Sequence, residues 1–148
     1  MKNEKELFLE HLEQEGISCM ELGHSVVRMP FQAKHLDDLA VMVIFGEYSG
    51  GTVAFRCFHI AEVCEGKREE AWDICLALSE EDDTVRFSVD REGNIMAEAF
   101  LSAPCSEGEL LETACLLASA ADESIPVFGK TVQKRKNLFW HRETARCA

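Results

Sequence analysis

The sequence predicts a single α+β domain, an antiparallel sheet with helices packed on it in the order α-β-β-β-β-α-β-β-α. Three observations predict it. Three separate stretches place apolar residues at helical spacing. Apolar runs of strand length lie between them, joined by short turn signals. The chain has 148 residues, 47% of them apolar, which is the size and composition of one globular unit.

Asn3 is placed to cap the first helix, with Glu4 and Glu6 in the first turn, where the positive helix end favours acids. Phe8, Leu9 and Leu12 form its apolar stripe, and Gly16 ends it with Ile17 beside it. Residues 17–22 read as a short strand. Gly23-His24 turns the chain into a second strand over 25–31, where Pro30 marks a sheet edge or the strand's end. After a polar connector, residues 39–45 are continuously apolar, which predicts a strand covered on both faces. The turn signal Glu47-Tyr48-Ser49-Gly50-Gly51 returns the chain over 52–60, the strongest hairpin in the sequence.

The second helix reads over 67–79, with Ala71, Ile74, Cys75 and Leu78 on one face. Four acids, Glu80 to Asp83, follow; they suit a helix C-terminus poorly and are expected in an exposed loop. Residues 84–90 alternate, with Val85, Phe87 and Val89 inward. A turn at 91–94 leads to the partner strand over 95–101. Ser106 and Glu109 form a capping box for a helix whose apolar side is Leu110, Leu111, Ala114, Leu117, Ala118 and Ala121. Ile125-Pro126 is expected to end or kink it.

Charge divides the chain in two. Residues 1–129 hold 9 basic and 26 acidic side chains, a balance of −17. Residues 130–148 hold 6 basic and 1 acidic, a balance of +5. The expected organisation is a domain over 1–129 and a basic tail over 130–148. A body this acidic repels nucleic acid and anionic lipid, so neither is an expected partner. No apolar run approaches the roughly 18 residues of a membrane span. The start, Met-Lys-Asn-Glu-Lys-Glu, has no signal-peptide core. The seven cysteines are irregularly spaced and form no C-x-x-C, which suits a reducing compartment. The expected location is the cytoplasm.

From 70 to 128 the chain resembles the YbjN family, whose fold is similar to that of the small acidic chaperones of type III secretion. The matching features are a helix ending near Leu78, Val85-Arg86-Phe87-Ser88-Val89-Asp90, a turn at Glu92-Gly93, Ile95-Met96-Ala97, and a final helix from Ser106. The hairpin over 41–60 fits the same plan, so the resemblance spans roughly 4–128. Family members often carry an asparagine near the end of the middle helix; here that stretch reads Ala77-Leu78-Ser79-Glu80. The resemblance implies a type III secretion chaperone-like fold and a non-enzymatic, partner-binding domain, often a homodimer. It transfers no catalytic residue.

The residues themselves name no reaction. No G-x-S-x-G, nucleotide-binding glycine loop or H-E-x-x-H is present. No cofactor is expected. The best metal candidate is Cys57, His59 and Cys64, of which period two places Cys57 and His59 on one face of a strand. Cys19, His24 or His35 could add to them, but zinc needs four converging ligands and these lack a recognisable spacing. The tail carries Lys134-Arg135-Lys136 and Leu138-Phe139-Trp140-His141-Arg142. It suits docking on an acidic protein surface, with Phe139 and Trp140 supplying the burial. The expected function is protein binding through the outer sheet face and helix groove at Phe55, Phe58 and Phe100, with Phe139 and Trp140 contributing. The alternative is a small metal protein or enzyme centred on Cys57 and His59.

Overall fold

The computed structural model describes residues 2–48 and 51–134. The elements are α1 (Glu4–Gln14), β1 (Met20–Leu22), β2 (Val26–Pro30), β3 (Ala40–Tyr48), β4 (Thr52–Val63), α2 (Arg68–Glu81), β5 (Arg86–Val89), β6 (Asn94–Ser102), α3 (Glu107–Phe128) and β7 (Val132–Gln133). The fold is α+β, in the expected element order, with β7 added. All strand pairs are antiparallel, in the sheet order β1-β2-β3-β4-β6-β5, and β7 pairs with the far end of β4.

The helix ends form as local chemistry dictates. The Asn3 side chain accepts the Glu6 N–H at 2.9 Å, and Gly16 leaves α1 at φ 68. The Glu109 N–H donates to Ser106 Oγ at 3.1 Å, and the Ser106 N–H donates back to the Glu109 carboxylate at 3.0 Å.

Two helices run further than expected. α2 takes Glu80 and Glu81 into its last turn. Both carboxylates are exposed, so the dipole penalty is screened to a few tenths of a kcal/mol. Ser79 Oγ meanwhile accepts the Phe87 N–H at 2.9 Å, tying the helix end to β5. α3 continues through Pro126 to Phe128. A proline inside a helix costs about 3 kcal/mol. Near the C-terminus, burial of Phe128, 6.3 Å from the Phe87 ring, offsets this by about 2–3 kcal/mol.

All three helices contribute to one core, on one side of the sheet. Phe8 and Leu12 of α1, Ala71 and Cys75 of α2, and Leu110, Ala114 and Leu117 of α3 meet Val27, Met29, Val41, Val43, Phe55, Cys57, Ile95, Ala97 and Ala99. The expectation that residues 39–45 are covered on both faces is therefore corrected. Val41 and Val43 are fully buried against the helices, while Met42 and Ile44 are half-buried on the opposite face. The run is apolar on both sides, but helices cover only one.

Residues 130–133, assigned to the tail from charge, are joined to the domain. Thr131 is buried, and Val132 and Gln133 pair with Val63 and Glu62 of β4.

Candidate protein-interaction surface

The outer face of the sheet is built from the alternate residues of six strands. Register aligns Leu22, Val26, Ile44, Ala54 and Phe100 in one apolar row from β1 across β2, β3 and β4 to β6. The adjacent row runs Met20, Arg28, Met42, Arg56, Glu98 and Arg86. Arg56 Nε donates to Glu98 at 3.1 Å, with both side chains about 15% exposed. The Arg56 guanidinium lies 5.9 Å from the Phe100 ring centroid, within cation–π range. Phe100 is 36% exposed and Phe58, next along β4, is 42% exposed.

The predicted site residues separate. Phe58 and Phe100 stand exposed. Phe55 does not: it is fully buried among the core residues. Period two places Phe55 opposite Ala54 and Arg56, so it takes the helix side, and its proposed binding role is withdrawn. Phe139 and Trp140 lie outside the described residues. Ile44, Met42, Val26 and Arg28 were missed. Their signal was the unbroken apolar run itself, because antiparallel sheets commonly leave one face to solvent.

Cys57 and His59 do not share a face. The β4–β6 register shifts between Cys57 and Ala61, and His59 takes φ 51, so a bulge breaks the period of two. Cys57 is fully buried, and burial pushes its thiol up to about 12. His59 turns outward, with Nε2 3.9 Å from the Asp90 carboxylate. That carboxylate serves a turn: it accepts the Glu92 and Asn94 N–H groups, both at 2.9 Å, and the Asn94 side-chain amide at 3.2 Å. Arg68 spans to the same loop, donating to the Asp90 carbonyl at 2.6 Å. Among the described residues, no three His, Cys, Asp or Glu side chains gather to hold a metal.

A groove of about 630 Å³ lies on the other side of the molecule, between the β2–β3 connector and α3. Phe31, Ala33, Leu39 and Ala118 line it, with Cys115, Asp122 and Glu123. The Asp122 carboxylate accepts the Lys34 and His35 N–H groups at 3.0 and 2.8 Å, which holds the connector on the helix.

No protein-family model matches the sequence, and no curated protein matches it. Among solved structures, the crystal structure of YbjN from E. coli is similar, with a TM-score of 0.64 at 12% identity over 86% of this chain and 93% of that one. The fold is therefore YbjN-like. No described helix is long and apolar enough to cross a membrane.

Proposed function

We propose that this chain is a non-catalytic protein-interaction module, chaperone- or adaptor-like, which binds another protein through the outer face of its sheet. The observation that carries this reading is the apolar row Leu22–Val26–Ile44–Ala54–Phe100, on the face opposite every helix. Leu22 and Phe100 are exposed at its ends, Val26 and Ile44 are half-buried, and Ala54 is covered by its larger neighbours; apolar surface left open in this way marks interaction sites. Full burial of each large side chain adds roughly 1.5–3 kcal/mol, and the neighbouring arginines supply orientation. YbjN is described as a candidate transcription regulator. A comparable role for this chain runs through protein contact, because a body of −17 opposes DNA phosphates. The described cysteines are free thiols, which supports a cytoplasmic setting.

Quantitative affinity capture tests this, comparing wild type with Ile44→Asp and Phe100→Asp at matched stability. One or more proteins held by wild type are expected to be depleted about tenfold or more in both variants, the effect of losing roughly 1.4 kcal/mol. Identical captured sets would overturn the reading.

We further propose a homodimer, formed on the side where α2 meets the edge strand β5. There Trp72 and Leu76 of α2 are 44% and 49% exposed, and Trp72 shares a shallow pocket with Arg68, Glu69 and Val89. Edge strands and apolar helix faces of small domains are commonly covered by a second copy.

A further inference from the structure

We propose that the basic segment 135–148 docks in cis into the groove between the β2–β3 connector and α3, with Phe139 and Trp140 on its apolar floor.

Charge separates the outer sheet face from the groove. The outer sheet face carries Arg28, Arg56 and Arg86 against Glu98 in one cross-strand row. The groove lining holds Asp122 and Glu123 of α3 with Lys34 and His35 of the connector, and the exposed Asp37 and Asp38 lie in sequence between its lining residues His35 and Leu39. Residues 135–148 carry Arg135, Lys136, Arg142 and Arg146 against Glu143. A segment of +3 is repelled by the first surface and attracted by the second.

The point where the described chain ends favours the same choice. β7 brings the chain out beside the connector, and Lys134 Nζ lies 3.3 Å from the Asp37 carboxylate. His35 and Leu39, both in the groove lining, are two residues from Asp37, at most about 7 Å along the chain. Phe139 and Trp140 follow Lys134 by five and six residues, a reach of roughly 17–20 Å. They therefore need no detour to reach Phe31, Ala33, Leu39 and Ala118. The groove volume of about 630 Å³ falls within the roughly 300–1,000 Å³ range of pockets that enclose small organic groups.

Exposed ion pairs hold little by themselves, so charge sets where the segment lands and aromatic burial keeps it there. Tethering helps: a short covalent link works at an effective concentration of order 1 mM. An intrinsic dissociation constant of about 0.1 mM then keeps the groove covered roughly nine-tenths of the time.

Cys115 is the reporter. It lines the groove and is exposed when the groove is open. The experiment measures alkylation of each cysteine by iodoacetamide in the full chain, resolved by peptide mass spectrometry. Cys115 is expected to react roughly tenfold slower in wild type than in Phe139→Ala/Trp140→Ala. Glu123→Lys, or 1 M salt, which shortens the screening length to about 3 Å, is expected to raise the wild-type rate. Cys64, outside the groove, serves as the internal control and should react equally in all forms. Equal Cys115 rates in wild type and the double variant would overturn the proposal. Protection that falls on dilution would also overturn it, since the occupant would then be a second copy.

Discussion

Arg56 of β4 and Glu98 of β6 face each other across the open side of the sheet, joined at 3.1 Å and each about 15% exposed. Phe100 lies over the guanidinium at 5.9 Å. The pair is thus sheltered by neighbouring side chains, although no helix covers it. It fixes the orientation of the face at its centre.

Removing one partner strands the other charge in a partly dry setting. Arg56→Met is expected to destabilise the fold by about 2–3 kcal/mol, less than the 3–5 typical of a fully buried pair. Arg56→Met/Glu98→Met is expected to recover most of that loss, because neither charge remains to be desolvated. Urea denaturation of the two single variants and the double variant reads the coupling directly. Additive losses would show that the pair contributes nothing.

Asp90 makes stability depend on acid. Slight burial pushes its carboxyl up, but the Asn94 N–H, the Asn94 side-chain amide, the Glu92 N–H and the nearby His59 outweigh this and hold it below the usual value of 3.8. A depressed folded value stabilises above the unfolded pKa and loses that contribution as pH falls through the folded one. Wild type is therefore expected to lose more stability than Asp90→Asn between about pH 4 and pH 2. Parallel melting curves for the two proteins over that range would remove Asp90 from the account.

The cysteines should divide by burial. Burial pushes the thiols of Cys57 and Cys75 up to about 12. Cys105 is raised to about 11 by burial and by the carboxylates of Glu4, Glu109 and Glu107. A thiol alkylates through its thiolate. At about pH 8, Cys57 and Cys75 should modify only as fast as the protein unfolds, with the rate rising steeply in urea. Fast modification of native Cys57 would reopen the nucleophile or metal reading that its burial opposes.

The proposed dimer side predicts that Trp72→Glu lowers self-association. Sedimentation of wild type at micromolar concentration should show a species of twice 16.6 kDa, and the variant should shift toward monomer. A wild type that sediments only as monomer would contradict it.

Local chemistry made most of the fold legible. Asn3, Gly16 and the Ser106–Glu109 box each act through neighbours in sequence, so their readings carried over into the structure. What failed depended on contacts distant in sequence. The burial of Phe128 that sustains α3 past Pro126 comes from Phe87. The bulge that parts Cys57 from His59 is a property of β4 against β6. The site was half legible for the same reason. Phe58 and Phe100 fall on the open face by simple alternation from Cys57 and Ala99. Phe55 required knowing which side the helices take, and all three take the same side.

Site-specific photo-crosslinking tests the central claim most directly. A benzophenone side chain replaces Phe58, Met42 or Phe100 on the open sheet face, and Leu116 on the helix side serves as control. Irradiation in the native cell is expected to give a covalent adduct of the same partner protein from all three sheet positions and none from position 116. Adducts from position 116 alone, or none from the sheet positions at comparable expression, would contradict the assignment of the open face as the binding surface.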